Sequence, residues 1–307
     1  MSRVAFHVAG RPIYWYGILI AASLLLGTVL VMARERRFGL KKDDSLNFVL
    51  WAAPVSIICA RAYYVAFSWD MYRDHIGQIF ALREGGLAIY GAVLGGLLTA
   101  VVYCRVRRVS LGALCDLCAP ALVLGQAIGR WGNFFNQEAY GRVIPDPALA
   151  FFPMGVYIES LGEWHYATFF YESCWCFLVA AVLLWGERRR VFRRSGDEFI
   201  AYAVLYAAER AVVEGLRTDS LMWMDIRVSQ LLSGGVLLLF AAILFVRAPR
   251  RGGKWFLPLL LSLLALLAAF RTGLFLPQAV ASLTSLALFA PLYRSTLPHD
   301  LTQEKSD

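Results

Sequence analysis

The sequence predicts an all-α fold: a polytopic transmembrane helical bundle with a seven-span core and a C-terminal two-helix hairpin. Of its 307 residues, 59% are hydrophobic and 14% aromatic, and the mean hydropathy is +0.57, too apolar for a soluble globular protein. Nine apolar runs approach the roughly 20 residues that a helix needs to cross a bilayer. Basic residues gather at alternate ends of successive runs, as the positive-inside rule describes. The runs lie near 12–33, 46–67, 86–104, 110–129, 168–186, 198–216, 228–246, 255–270 and 274–293.

The net charge of +8 comes mainly from segments between these runs. The basic segments are 34–42, 105–108, 188–194 and 247–254. If they face the cytoplasm, the N-terminus of this multi-pass protein lies outside and the C-terminus inside. The first run is not a cleaved signal peptide, because the heavier positive charge follows it. The basic composition therefore requires no nucleic-acid partner.

Charged residues lie within the second, fourth and fifth apolar runs, at positions that are expected to avoid lipid. Arg61 sits late in the second run, Asp116 early in the fourth, and Glu172 early in the fifth. Ionisable groups at membrane depth are costly, so these side chains face a protein interior or a wet cavity. The third run opens with the glycine-rich segment 83–91, which places Tyr90 near the outer surface. The alternative for these charges is a purely structural role in joining helices.

The sixth run carries Arg210, Glu214 and Arg217 at i, i+4 and i+7, so the three share one helix face. That face cannot point at lipid. A structural alternative is that Arg210 and Glu214 only pair to hold helices together. Arg210 is the better candidate for binding a ligand, because its charge remains available beyond one partner.

The last two runs lie beyond the seven-span core and are separated only by residues 271–273. We predict two regions: a membrane-embedded core at 1–250, with a small outer-face segment at about 138–166, and an extension at 251–307. The extension consists of the apolar hairpin and a polar tail from Ser295 to Asp307. No functional residue was identified in the hairpin, so we expect a chain ending after Gly253 to retain its chemistry.

The segment Gly129 to Arg142 combines arginine, two asparagines, a glutamate and glycines at the end of an apolar run. Arg130 offers a planar fork of donors that suits a phosphate, and Asn133 and Asn136 both donate and accept hydrogen bonds. The glycines allow a ligand to approach the backbone. The alternative is a solvated helix end with interfacial aromatic residues, but anchoring alone does not need this many polar groups.

The cysteines include a C-x-x-C pair, Cys115 and Cys118, and a C-x-C pair, Cys174 and Cys176. Neither has a second cysteine pair or a histidine pair to complete a metal site. Cysteines within apolar runs usually behave as small hydrophobic residues. We therefore predict no metal site.

The segment 129–142 resembles the signature of the prolipoprotein diacylglyceryl transferase family, Gly-Arg-x-Gly-Asn-Phe-x-Asn-x-Glu-x-x-Gly-Arg. Further similar elements follow the family order over about residues 12–246. They are Trp15-Tyr16-Gly17, Arg61 near Tyr64, Gly85-Gly86-x-x-x-Tyr90-Gly91, Asp116, Tyr171-Glu172 and Arg210-x-x-x-Glu214-x-x-Arg217 with Asp219. Together these elements are far more specific than any one of them.

The resemblance implies a bacterial inner-membrane enzyme without a cofactor. Such an enzyme transfers the diacylglyceryl group of phosphatidylglycerol to the lipobox cysteine of a prolipoprotein signal peptide and releases glycerol phosphate. Its catalytic residues in this chain would be Tyr90, Arg130 and Arg210, with both arginines on the lipid phosphate. The residues expected to bind substrate are Tyr16, Arg61, Asn133, Asn136, Glu138, Gly141, Glu172 and Glu214.

The chain departs from the family pattern in its histidines. Tyr90 stands where many members have histidine, and a phenol with an ordinary pKa of about 10 is a poor base near neutral pH. The family's His-Pro-Thr-x-x-Tyr-Glu pattern reads here as Tyr166-Ala167-Thr168-Phe169-Phe170-Tyr171-Glu172, with His165 displaced by one position. His165 is a candidate base, and the assignment stays open.

Two other functions are compatible with the sequence. A divergent paralogue would keep the lipid site and use another acceptor, as the altered histidine motif and the extra hairpin suggest. A non-catalytic lipid-binding or transport protein would also need buried charges. Transporters often contain repeated halves with paired broken helices, and this sequence shows no such symmetry.

Overall fold

The computed structural model describes residues 2–82, 85–218, 220, 222–223, 226–272 and 274–297. Within them the chain is predominantly helical, which confirms the all-α prediction. The helices are α1 (Trp15–Arg34), α2 (Asp44–Phe67), α3 (Trp69–Tyr72), α4 (Ile89–Arg107), α5 (Leu111–Asn136), α6 (Thr168–Arg188), α7 (Asp197–Val213), α8 (Val228–Arg247), α9 (Pro249–Thr272) and α10 (Phe275–Ser295). The predicted Asp219 and most of the polar tail, 298–307, lie outside the described residues.

Eight helical segments in this part of the chain are long and apolar enough to cross a membrane. The protein is therefore a multi-pass membrane protein. Helix α7 is shorter, at 17 residues, and carries Arg210 of the sixth apolar run. Each of the nine predicted runs corresponds to one helix of the described residues. Six helices of the predicted core and both helices of the terminal hairpin are among the eight candidate spans, and α7 is not.

Three short antiparallel hairpins lie at helix ends. Strands β1 (Val4–Val8) and β2 (Arg11–Tyr14) precede α1, and β3 (Gly155–Ile158) and β4 (Glu163–Tyr166) precede α6. Strands β5 (Met222–Trp223) and β6 (Ile226–Arg227) lead into α8. The middle hairpin falls within the predicted outer-face segment.

The chain divides into two compact units, with boundaries inside α1 and α5. The first unit comprises residues 1–24 and 122–307. Its largest apolar core joins α7, α8, α9 and α10 through residues such as Ala211, Leu237, Leu263 and Leu292. The C-terminal hairpin is therefore packed into this unit.

The second unit comprises residues 25–121 and is dominated by the packing of α2 on α4. Two glycines of α4 make this close approach possible. A Cβ on Gly91 would overlap the backbone of Cys59 and Ala60, and one on Gly95 would lie 2.8 Å from Cys59 Cβ. The glycines of α4 therefore allow its close packing on α2.

Candidate active site

The first unit brings together Arg130 of α5, Glu172 of α6 and Arg210 of α7. Glu172 Oε1 lies 3.0 Å from Arg130 Nη2 and 2.5 Å from Arg210 Nη1. Arg210 Nη2 also pairs with Glu214 Oε2 at 2.7 Å. The Glu172 side chain is fully buried, whereas those of Arg130 and Arg210 are 19% and 15% exposed. The carboxylate therefore lies behind two arginines that keep access to the surface.

Helix α5 is held against α6 next to these ion pairs. The indole Nε1 of Trp131 donates to Ser173 Oγ at 3.1 Å, and Ser173 Oγ donates to the Ala127 carbonyl at 2.8 Å. Trp131 also packs edge-on against Phe169 and Phe170. This packing extends α5 beyond the predicted end near 129, because its polar side chains find partners within the protein. Arg130 thus projects from a continuous helix and not from a loop.

The signature turns back on itself directly after α5. Gln137 and Ala139 both adopt positive φ angles, 52° and 55°, which reverses the chain around Glu138. Glu138 Oε1 then accepts hydrogen bonds from Asn133 Nδ2 at 2.9 Å and Asn136 Nδ2 at 3.2 Å. Three residues predicted to bind substrate are therefore one hydrogen-bonded group, with the Glu138 side chain exposed.

Gly141 and His165 meet where the signature joins strand β4. Gly141 N donates to the Tyr166 carbonyl at 2.8 Å, and a Cβ on Gly141 would lie 2.8 Å from Tyr166 Cβ. The buried ring of His165 contacts the Gly141 carbonyl through Nδ1 at 2.8 Å. Because a carbonyl only accepts, Nδ1 carries a hydrogen, and in the neutral ring Nε2 is then the acceptor nitrogen. His165 Nε2 is buried without a hydrogen-bond partner among the described residues, 3.8 Å from Glu163 Oε2.

The end of the signature also contacts the segment that follows α7. Arg142 N donates to the Leu216 carbonyl at 3.0 Å, and Arg142 Nη2 donates to the Gly215 carbonyl at 3.3 Å. Glu214–Leu216 forms a tight helical turn, so Glu214 lies at the junction and not within α7. The backbone thus links the two elements that carry Arg130 and Arg210.

Tyr16, at the start of α1, lies against Gly132 of the signature. A Cβ on Gly132 would overlap the Tyr16 ring. One turn further along α5, Phe135 stacks on Trp15 with ring centroids 4.9 Å apart. Tyr16 therefore belongs to the surroundings of the signature and is more than an aromatic anchor.

Arg61, in the second unit, donates hydrogen bonds from its guanidinium to backbone carbonyls at positions 78, 79, 85 and 86, which precede α4. Nε donates to the Ile79 carbonyl at 2.8 Å and Nη2 to the Gln78 carbonyl at 2.6 Å. Nη1 donates to the carbonyls of Gly85 and Gly86 at 2.8 and 3.0 Å. Four of its five N–H groups thus bind backbone. The geometry gives Arg61 a structural task besides the substrate contact that the sequence predicts.

Tyr90, also in the second unit, is the second residue of α4 and is 39% exposed. Its ring centroid lies 6.3 Å from that of Tyr63. Gly91, its neighbour, sits against α2. The close helix contact therefore fixes the backbone from which the Tyr90 phenol projects.

Sequence reasoning missed Glu209, which directly precedes Arg210. Glu209 is buried, and neither carboxyl oxygen has a hydrogen-bond partner within the described residues. It interacts electrostatically with Glu172, Arg210 and Arg130. Glu209 lies one residue before Arg210 and therefore off the helix face that 210, 214 and 217 share. The helical spacing that identified that face did not identify Glu209. The adjacent Glu-Arg pair in an apolar run was the available signal.

Sequence reasoning also missed Arg227, which lies near the C-terminal end of α7. Arg227 Nη2 donates to the Arg217 carbonyl at 3.4 Å. Burial, and after it the nearby guanidinium of Arg142, lower the pKa of Arg227 from its ordinary value. The positive charge of the candidate site therefore extends beyond the C-terminal end of α7, from Arg210 toward Arg142, Arg217 and Arg227.

Comparison with known sequences identifies the protein family. The sequence model of the prolipoprotein diacylglyceryl transferase family matches residues 3–247. The chain belongs to this family. Proteins named phosphatidylglycerol--prolipoprotein diacylglyceryl transferase include relatives from Bacillus cytotoxicus, 42% identical over 260 residues, and Listeria innocua, 38% identical over 263 residues. These alignments cover 83% and 84% of this chain and 94% of each relative. A relative from Limosilactobacillus reuteri is 40% identical over 255 residues, which are 82% of this chain and 92% of that protein.

The geometry of this transferase-family site suits an anionic group. Arg130 and Arg210 converge from two helices, and within the described residues their ion pairs with Glu172 and Glu214 occupy only some of their N–H donors. In a water-poor pocket such fixed donors strengthen as negative charge develops on a bound group. The hydrogen-bonded amides of Asn133 and Asn136 lie on the same helix as Arg130, Asn133 three residues before its end and Asn136 at its last residue. The candidate site therefore combines cations, which suit an anion, with amides, which suit hydroxyl groups.

Proposed function

We propose that the protein transfers the diacylglyceryl group of phosphatidylglycerol to the thiol of a lipobox cysteine in a prolipoprotein signal peptide. The products are a thioether-linked lipid and glycerol phosphate. The observation that carries the proposal is the convergence of Arg130 and Arg210 on buried Glu172, in a chain about 40% identical to named transferases. The pairing supplies two oriented cations at membrane depth, which a non-catalytic helix contact does not require.

The reaction is a displacement at a glycerol carbon. The substrate thiolate forms a C–S bond, the C–O bond to the phosphate breaks, and the electron pair leaves with the phosphate oxygen. Arg130 and Arg210 hold the phosphate and stabilise the charge that grows on it. Asn133, Asn136 and Glu138 order the glycerol headgroup, and Tyr16, Arg61, Gly141, Glu172 and Glu214 complete the substrate-binding surroundings.

The thiol must lose its proton before or during attack, since the thiolate is the nucleophile. Tyr90 donates a hydrogen bond to the thiolate or to a phosphate oxygen, and the positive field of the arginines favours ionisation of the thiol. The proton passes to a base that is not assigned. His165 is a candidate because its Nε2 is the acceptor nitrogen of a ring fixed through Nδ1.

The enzyme works at the outer face of the bacterial inner membrane, with the N-terminus outside and the C-terminus in the cytoplasm. The positive-inside distribution supports this orientation, since Arg34–Lys42 and Arg105–Arg108 fall at one end of the helices that they follow. The signature lies at the opposite end of α5 from the second basic segment. Labelling of single cysteines placed at positions 7 and 192 with a membrane-impermeant reagent tests the topology: only the first is labelled in intact cells.

Complementation of a transferase-depleted bacterium tests the function, because growth requires both the lipid donor and the prolipoprotein acceptor to be used. A divergent paralogue with another acceptor is the second candidate, favoured by Tyr90 and by the extra hairpin. Purified protein separates the two. Transfer of labelled diacylglyceryl to a lipobox peptide supports the proposal, whereas glycerol phosphate release that needs a different acceptor supports the paralogue. A protein that binds phosphatidylglycerol without transfer would contradict both.

A further inference from the structure

Helix α10 runs antiparallel along α7 and contacts it near both ends. Near the start of α7, Tyr293 Oη donates to Asp197 Oδ2 at 2.9 Å. Three turns along, Ser282 Oγ donates to the Ala208 carbonyl at 2.8 Å. Contacts at both ends fix the position of α7 along its own axis as well as its tilt.

A pair of glutamines secures the outer end of α7. Gln230 of α8 and Gln278 of α10 are both fully buried. Gln230 Nε2 donates to the Ala211 carbonyl at 2.9 Å and to Gln278 Oε1 at 3.2 Å. A Cβ on Gly215 would overlap Gln278 Oε1. Buried amides at membrane depth need such partners, so the contact specifies one arrangement of these helices.

The two faces of α7 have different neighbours. Ala208 and Ala211 lie three residues apart on the face that meets α8 and α10. Arg210 and Glu214 lie four residues apart on another face and pair there. The carbonyls that Ser282 and Gln230 bind thus flank Arg210 in sequence while its guanidinium reaches Glu172 on α6. A shift of α10 would move the backbone of Arg210 directly.

This hairpin lies outside the family match, which ends at residue 247, two residues before α9 begins. We propose that α10, through Ser282 and Gln278, is a positioning element that holds Arg210 and Glu214 in register with Glu172, an inference that rests on the proposed transferase activity. It revises the expectation that the hairpin is dispensable. That expectation followed from the absence of recognised residues in the hairpin, and the contacts supply such residues.

Substitution of Ser282 by leucine tests the proposal against a matched control. Ser282 is buried against α7, whereas Thr284, two residues later on the same helix, is exposed. Ser282→Leu should lower kcat for diacylglyceryl transfer about ten-fold or more, because small displacements of a catalytic group are costly. Thr284→Leu adds the same side chain toward lipid and should match the wild type. KM for the lipobox peptide should not change in either variant.

A double-substitution cycle distinguishes positioning from general loss of structure. If α10 acts through Arg210, Ser282→Leu should cost much less in an Arg210→Lys background than in the wild type. A general defect would cost the same in both backgrounds and would overturn the proposal. Equal kcat for Ser282→Leu and Thr284→Leu would overturn it as well. An inactive wild type would instead contradict the transferase function itself.

Gly215 and Gln278 provide a second test that does not depend on Ser282. Gly215→Ala should impair transfer, because its methyl group meets the Gln278 side chain. Gln278→Ala removes the hydrogen bond from Gln230 and should lower kcat as well, because α7 then loses its support at this end. If either variant is fully active, Gln278 does not position this end of α7.

Discussion

The ring of Tyr16 lies so close to the α-carbon of Gly132 that any side chain at position 132 would overlap it. The first helix therefore contacts the signature at a position where only glycine fits. Tyr16 is itself 40% exposed, so its ring is held on one face and open on the other. This relationship explains a glycine within the last turns of α5, where glycine weakens a helix.

Gly132→Ala should reduce transfer strongly, because the added methyl group displaces Tyr16 or tilts α5. We expect at least a ten-fold loss of kcat/KM, because small displacements of the groups around a reacting centre are costly for the rate. Gly125→Ala is the matched control: the same helix, with Ser23 Cβ 3.8 Å from the added atom. Steady-state assays of both purified variants test this, and equal activity would show that the Tyr16 contact is not needed.

Arg130→Lys should fail despite keeping the charge, because an ammonium cannot reproduce the planar fork that binds Glu172 and a phosphate together. Arg210→Ala should fail as well. Losses of roughly a hundred-fold in kcat are expected for donors that stabilise developing charge. Arg105→Lys, at an exposed position, should have no effect. Near wild-type transfer by both site variants would show that the arginines are not phosphate ligands.

The sequence was sufficient for the helices and for the pairing of Arg210 with Glu214, because apolar length and helical spacing are local properties. It was insufficient for Glu172, whose oxygen joins two arginines from different helices. That meeting depends on how α5, α6 and α7 pack, which periodicity does not encode. The backbone role of Arg61 was hidden for the same reason: its acceptors lie 17 to 25 residues away.

Glu172 and Glu209 should respond differently to the same change. Glu172→Gln removes the carboxylate that holds both arginines, and breaking a buried ion pair typically costs about 3–5 kcal/mol. We expect lower thermal stability and loss of transfer. Glu209→Gln breaks no hydrogen bond among the described residues and keeps the side-chain shape, so it should stay within a few-fold of the wild type. Equal losses in the two variants would show that Glu209 takes part in the reaction.

Tyr90 is predicted to donate a hydrogen bond and not to act as the base. Tyr90→Phe should therefore lower turnover substantially, and Tyr90→His, which restores the residue of many relatives, should retain part of the activity. Turnover of both variants at a fixed amount of inserted protein measures this. Full activity of Tyr90→Phe would remove the phenol from the mechanism.

The pH dependence of transfer separates Tyr90 from His165. A histidine base gives a rate that falls as the pH drops through roughly 6–7, because protonation removes its acceptor nitrogen. If His165 is that base, the acidic limb should disappear in His165→Gln and persist in Tyr90→Phe. The opposite result, a limb that survives in His165→Gln and vanishes in Tyr90→Phe, would refute this division of roles.

The buried carboxylate behind Arg130 and Arg210 has a consequence for the end of the catalytic cycle. Two unopposed arginines in a low-dielectric pocket would retain glycerol phosphate, whose charge is greater than that of the diester it came from. Glu172 and Glu214 offset the positive charge of the two arginines. A bound anion is therefore held by directed hydrogen bonds and not by a large excess of positive charge. In the proposed reaction, this limited excess of positive charge favours release of the departing anion, so turnover depends on product release as well as on stabilisation of the transition state.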